Sequence, residues 1–303
     1  MTAPIAVAAI RRAQAEDFTR DLDLTRDEVL YLLELTAQVK KAPGRFAHEL
    51  AGRYLSLLFE KPSLRTRLTF ELAIKQLGGD SILNVGPIGE REPLKDVARN
   101  LDRWTNAIVA RTFLQKTVDE LARWSKVPVI NALTDMFHPC QALADVFTLK
   151  EHFGKLRGLR VAYVGDGNNV AHSLMICSAR LGMHFAIASP EGYDPNPDVV
   201  GEARRLAAES GTKLTVTRDP DLAVAGAHAV YTDVWASMGQ EAEAEARKSV
   251  FRRYQVNEKL FSKARQDAVF MHCLPAKRDQ ETTDSVIETP QSVVFDQAEN
   301  RLH

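Results

Sequence analysis

Short apolar runs bounded by polar turns alternate along the chain with segments whose apolar residues recur every three to four positions. The first pattern marks buried strands, the second amphipathic helices. Asp21 to Thr25 leads into a helix, with Thr25 as its cap and Val29, Leu30, Leu33 and Leu35 as core positions. Strands are expected at 54–59, 81–85, 107–111 and 128–131, with helices at 63–77, 92–104, 117–124 and 140–153. A polar stretch, Lys155–Arg160, separates this series from a second one. There, strands are expected at 161–164, 183–188, 213–217, 228–232 and up to His272, with helices at 169–181, 198–209 and 220–225. Residues 240–248 read as a solvated helix and Val293 to Phe295 as a last short strand. Alternation with short connections implies parallel strands. The fold class is α/β: two doubly wound parallel-sheet domains with helices on both faces. The expected division is 1–150, 151–290 and a segment 291–303 returning towards the first domain.

Composition narrows the class of protein. A length of 303 residues allows two domains with ample core, and 45% hydrophobic with 26% charged residues is a soluble globular balance. A net charge of −1 argues against nucleic-acid and membrane-surface partners, so attraction for an anion must be local. Cys140, Cys177 and Cys273 fit neither a disulfide framework nor a zinc motif, which suits a reducing, cytoplasmic setting. No apolar run approaches a membrane span, and Pro4–Ile10 does not read as a signal peptide.

The polar clusters stand at expected strand ends. After the apolar run Tyr54–Phe59 come a turn at Glu60–Pro62 and then Ser63, Arg65, Thr66 and Arg67 within the first turn of a helix that Gly78 and Gly79 stop. Helix N-termini present free N–H groups and partial positive charge, so this is equipment for a phosphate-like dianion. Arg111 ends another strand, and His138, Pro139 and Gln141 open a helix. The turn Gly165–Asn169 departs from a dinucleotide fingerprint: Val170 replaces the third glycine, and Asn168 and Asn169 are bulky where a pyrophosphate needs close approach. Two amides there suit a carboxylate instead. Asp233, with Ser237, Met238 and Gly239 after it, follows a strand and is either an ordinary turn or an amine-binding loop. His272 and Cys273 end the last strand of the series.

Taken together these segments resemble the aspartate/ornithine carbamoyltransferase family, on its ornithine-using side. The matching motifs are Ser63-x-Arg65-Thr66, His138-Pro139-x-Gln141, Asn168-Asn169, Asp233 with Ser237-Met238-Gly239, His272-Cys273-Leu274-Pro275, and Ala298-Glu299-Asn300-Arg301. The resemblance runs from about Phe18 to His303. It implies that the first domain binds carbamoyl phosphate and the second ornithine. Carbamoyl phosphate would be held by Ser63, Leu64, Arg65, Thr66, Arg111, His138, Gln141, Cys273, Leu274 and Arg301. Ornithine would be held by Asn169, Asp233, Ser237 and Met238, with Arg111, His138, Asp233 and Cys273 as the catalytic set. The implied reaction gives citrulline and phosphate and belongs to arginine biosynthesis. The implied partners are carbamoyl phosphate and L-ornithine, in a homotrimer with active sites between subunits, without cofactor or metal.

Two departures stand out. Pro87 occupies the place where the family often carries a glutamine that contacts carbamoyl phosphate in a neighbouring subunit. Pro62-Ser63-Leu64-Arg65-Thr66 leans towards carbamoyltransferases of N-acetyl- or N-succinylornithine, and an inactive ligand-binding homologue is a further alternative. The family's chains usually continue beyond the Ala298–Arg301 segment into a helix, and this sequence stops at His303.

Overall fold

A computed structural model describes residues 14–236 and 243–303. The described chain forms two compact units, Met1–Leu143 with Leu302–His303, and Ala144–Arg301.

The first unit begins with α1 (Arg26–Lys41), whose start is a reciprocal cap between Thr25 and Glu28. Val29 and Leu33 of α1 are buried, while Leu30 and Leu35 are half-buried. Then follow β1 (Tyr54–Phe59), α2 (Arg65–Gln76), β2 (Asp80–Val85), α3 (Leu94–Trp104), β3 (Ala107–Arg111), α4 (Gln115–Trp124), β4 (Val129–Leu133) and α5 (Pro139–Phe153), within which the units divide. The strands pair in the order β2-β1-β3-β4, every pair parallel. Side chains alternate across the sheet, as the strand period of two requires. Leu58, Ile108, Ala110 and Val129 pack with Ala98 of α3 and with Val118 and Leu121 of α4. Leu57, Phe59, Val109 and Ala132 form a second cluster, with Phe70 of α2 against it. Helices thus cover both faces.

Two details of α2 differ from the sequence reading. Arg65 is the first helical residue, so Leu64 occupies the cap position, yet Ser63 Oγ still accepts from Thr66 N at 3.3 Å. The helical spacing of Leu68, Phe70, Leu72, Ile74 and Leu77 does mark a helix, but only Ile74 of these is fully buried; Leu68 and Leu72 are exposed. Ile82 and Val85, on the edge strand β2, are exposed as well.

The second unit continues with β5 (Arg160–Val164), α6 (Asn169–Leu181), β6 (His184–Ala188), α7 (Pro197–Ser210), β7 (Leu214–Thr217), α8 (Pro220–Val224), β8 (Ala229–Thr232), α9 (Ala244–Phe251), α10 (Glu258–Phe261), β9 (Val269–His272), α11 (Asp284–Ile287) and α12 (Val294–Asn300). The sheet order is β7-β6-β5-β8-β9, again all parallel. The order reverses beside β5, placing the β5 and β8 turns at a topological switch point. Gly182 ends α6 in the left-handed region (φ 80°). Tyr163 and Tyr231 stack within the sheet, their ring centroids 5.6 Å apart.

The expected strand at Val293 to Phe295 is a correction. Val293 N does bond Phe270 O (3.0 Å), but the chain then turns helical as α12. Its polar residues decide this. Gln297 and Asn300, one turn apart, both face inward: Gln297 Oε1 accepts from His272 N and its Nε2 donates to Asp145 Oδ1, while Asn300 Nδ2 donates to Thr148 Oγ1 and Glu151 Oε2. Helical spacing of satisfied polar groups outweighs a three-residue apolar run.

Candidate active site

In the first unit the C-terminal ends of three adjacent strands, β1, β3 and β4, carry the expected anion-binding residues. Thr66, in the first turn of α2, is buried, and Arg111 at the end of β3 is only 6% exposed. Arg111 Nη1 donates to Thr66 Oγ1 at 3.3 Å. The structure therefore brings Ser63, Thr66 and Arg111 together at one helix start, where N–H groups and a buried guanidinium add. Arg65 is half-buried and Leu64 exposed at the same start. Arg67 points elsewhere, paired with Glu71 on the solvated face at 2.9 Å. His138 precedes α5, and its carbonyl accepts from Gln141 N and Ala142 N. Both His138 and Gln141 are buried.

Two residues at this edge escaped the sequence reading. Glu60 pins two loops at once, accepting from Ile88 N with Oε1 and from Phe113 N with Oε2. It thereby fixes the loop that holds Pro87. Lys61 is buried, with its Nζ 4.5 Å from the Phe113 ring centroid. A charged pair in a turn looks solvated in sequence; only the neighbouring loops make it otherwise.

In the second unit the ends of β5, β8 and β9 carry the other set. Asp233 is 7% exposed and accepts twice: from Asn168 Nδ2 at 2.9 Å and from Cys273 Sγ at 3.1 Å. Asn168 Oδ1 in turn caps α6, accepting from Val170 N and Ala171 N, and also from the Tyr163 hydroxyl at 3.0 Å. The structure thus joins Asn168 to Asp233, while the Oδ1 of Asn169 accepts from Val170 N at 2.9 Å. The Gly165–Asn168 turn lies tight on its surroundings, since a side chain at Gly167 would run into the Asp194–Pro195 backbone. Ser237, Met238 and Gly239 lie outside the described residues. Arg301 follows α12 in this unit and is half-buried.

The Cys273 thiol is pushed well up by burial and then by the Asp233 carboxylate beside it. It is a neutral donor, not a thiolate. Next to it, His272 and Glu281 are completely buried. Leu274 N donates to His272 Nδ1 at 2.8 Å, so the ring proton sits on Nε2, 3.3 Å from Glu281 Oε1. This pair holds Leu274, whose φ is 58°. Asp233, His272 and Cys273 offer ligand atoms within 4.8 Å of one another, the spacing a metal ion would need. Each of those atoms takes part in a hydrogen bond given above, Asp233 with Cys273, and His272 with Leu274 N and Glu281.

The first set has the chemistry to cradle a dianion, and the second can accept hydrogen bonds from a cationic amine. Models of the aspartate/ornithine carbamoyltransferase family match both parts: the carbamoyl-P binding domain over residues 16–151 and the Asp/Orn binding domain over residues 157–303. An ornithine carbamoyltransferase of Anoxybacillus flavithermus is 49% identical over 302 residues, covering 98% of this chain and 96% of that protein. An ornithine carbamoyltransferase of Pyrococcus furiosus described as anabolic is 50% identical over 286 residues, covering 93% of this chain and 91% of that one. The solved ornithine carbamoyltransferase of Pyrococcus furiosus superposes with a TM-score of 0.93 at 48% identity, covering 96% of this chain and 95% of that chain. With both family models matched in order and a fold shared nearly end to end, this chain belongs to the aspartate/ornithine carbamoyltransferase family.

Proposed function

We propose that the protein transfers the carbamoyl group of carbamoyl phosphate to the δ-amine of L-ornithine, giving L-citrulline and phosphate for arginine biosynthesis. The observation that carries the reading is Asp233, a nearly buried carboxylate held between the Asn168 amide and the neutral Cys273 thiol. A carboxylate so placed selects a cationic amine and orients its nitrogen. Ser63, Arg65, Thr66 and Arg111 hold the phosphate, with Leu64 offering its backbone N–H and Arg301 further charge. Thr66, Arg111 and His138 donate to the oxyanion that forms when nitrogen attacks the carbonyl carbon. Gln141 and the Leu274 carbonyl orient the carbamoyl amide. Asn169, Ser237 and Met238 complete the ornithine site. The bound δ-ammonium must lose a proton before it attacks, and the Asp233 carboxylate that holds it takes that proton. Cys273, already protonated, fixes Asp233 and does not take that proton. Holding two substrates in line supplies much of the acceleration, without a covalent intermediate.

The protein acts as a homotrimer in the cytoplasm. Exposed Leu64, Leu68 and Leu72 around α2, with Ile82 and Val85 on β2, supply apolar surface for self-association. None of Cys140, Cys177 and Cys273 is joined in a disulfide, which suits a reducing compartment. Initial rates of citrulline formation test the reading. Saturable formation from ornithine is expected; turnover of N-acetyl- or N-succinylornithine instead would move the assignment to that activity, and binding without turnover would leave a ligand-binding homologue. Light scattering at a single trimer mass is expected, and a monomer at micromolar concentration would contradict the assembly.

A further inference from the structure

Arg247 is buried on α9, only 6% exposed, and is drawn inward by four partners. Nη1 donates to Asp166 Oδ2 at 2.7 Å and to the Trp235 carbonyl at 2.9 Å. Nε donates to Glu243 Oε2 at 3.0 Å. The guanidinium carbon stands 4.7 Å from the centroid of the Tyr193 ring.

The first two partners belong to different strand-end turns. Asp166 follows β5, two positions before Asn168, and Trp235 follows β8, two positions after Asp233. One nitrogen therefore ties together the two backbones that carry the Asn168–Asp233 hydrogen bond. Tyr193 adds a third tie, because its carbonyl accepts from Gly167 N at 2.9 Å, inside the same turn as Asp166. Burial holds the Asp166 carboxyl above its ordinary value, and Arg247 offsets only part of that rise. A buried pair of this kind is weak evidence for stability, since an apolar pair of equal volume often serves as well. The surrounding core has such a pair already, Trp235 stacked on Phe251 at 5.8 Å. What an apolar residue cannot do is hold a carboxylate and a carbonyl on one rigid guanidinium nitrogen.

We propose that Arg247 is a positioning residue for the acceptor amine: it locks the β5 and β8 turns so that Asp233 and Asn168 meet the amine in one geometry. The inference rests on Asp233 being the amine's anchor. A misplacement of about 1 Å in such a group costs on the order of 100-fold in rate.

The test compares wild type, Arg247→Met, Arg247→Lys and the double variant Asp166→Asn/Arg247→Met. Met keeps the packing against Tyr193 without the guanidinium. Lys keeps the charge but reaches fewer acceptors. The double variant removes the buried carboxylate that Met would strand. Wild type is first assayed for citrulline from ornithine; failure there refutes the anchor reading itself. The expected result for Arg247→Met is an ornithine KM raised at least tenfold, with carbamoyl phosphate affinity changed less than twofold, and a smaller KM rise for Arg247→Lys. The double variant is expected to recover melting temperature but not ornithine KM. Alkylation of Cys273 by iodoacetamide, located by peptide mass, gives a readout independent of turnover. Loss of the Asp233 contact frees the thiol to ionise, so at least fivefold faster labelling is expected in Arg247→Met and in the double variant. An unchanged ornithine KM in Arg247→Met, its recovery in the double variant, or wild-type labelling of Cys273 in both would overturn the proposal. If Arg247→Met does not fold, the Lys and double variants decide on the same readouts.

Discussion

Asp233→Asn separates the charge of the acceptor site from its shape. Asp233 is 7% exposed and receives hydrogen bonds from Asn168 Nδ2 and Cys273 Sγ. An asparagine fits the same space but has one acceptor oxygen where aspartate has two. Turning that oxygen to Asn168 sets the new NH2 against Cys273, whose sulfur accepts only weakly. The fold loses about one hydrogen bond, roughly 1 kcal/mol, and sheds the desolvation of a nearly buried carboxylate. These oppose each other, so the melting temperature is expected to move by only a few degrees. Ornithine binding has no such compensation. A hydrogen bond to a charged group is worth about 1.5–3 kcal/mol, which corresponds to a factor on the order of 10 to 100. Ornithine KM should rise by that factor, kcat should fall with it, and carbamoyl phosphate affinity should stay within about twofold. Steady-state citrulline formation at saturating carbamoyl phosphate measures the first two, and calorimetric titration with carbamoyl phosphate the third. Unchanged KM and kcat for ornithine would refute the role given to Asp233.

Arg65→Ala should abolish measurable carbamoyl phosphate binding while leaving the melting temperature near wild type; near-normal affinity in a titration would refute the cradle. Glu281→Ala leaves the buried His272 Nε2 and the Lys277 N–H without their acceptor, at a cost of roughly 2–4 kcal/mol. A chemical denaturation shift below about 1 kcal/mol would contradict that network. Glu28 is held below the ordinary carboxylate range, first by the Thr25 backbone N–H and then by its hydroxyl. A lowered folded-state value contributes stability above the unfolded value, and that stability is lost as pH falls through the folded one. Glu28→Gln should therefore flatten the fall in stability below about pH 4.5; identical acid profiles for the two proteins would count against this cap.

Much of the fold was legible because both of its periods are strong. The apolar runs Tyr54–Phe59 and Ala107–Arg111, short and bounded by turns, read as strands and are strands, although Tyr54 is exposed, and Asn168 and Gly182 mark the two ends of α6. The Val293 to Phe295 segment misled because three apolar residues carry no period; the inward Gln297 and Asn300 decided it. Of the site, Ser63, Thr66 and Arg111 were legible from their place at strand ends, and the structure joins them. Asn168 was read as an amide for a carboxylate but not as the partner of Asp233, and Tyr163, Glu60 and Arg247 were not read as site residues at all. The partners of Asn168, Glu60 and Arg247 lie far along the chain, at Asp233, Ile88 N and Asp166, and no local pattern records them. Arg247 is the clearest case: on a segment rich in alanine and glutamate it reads as solvated, yet it is buried.

One competition measurement tests the central claim most directly. Carbamoyl phosphate labelled with carbon-13 at the carbonyl is mixed with equal concentrations of L-ornithine, N-acetylornithine and N-succinylornithine. The enzyme is added and the label followed by NMR while phosphate release is measured in the same tube. The account predicts that the label passes to free citrulline, one phosphate per carbamoyl group, with the acylated products below a few per cent. Label appearing mainly in an N-acylcitrulline, or phosphate released with no carbamoylated amine, would contradict it.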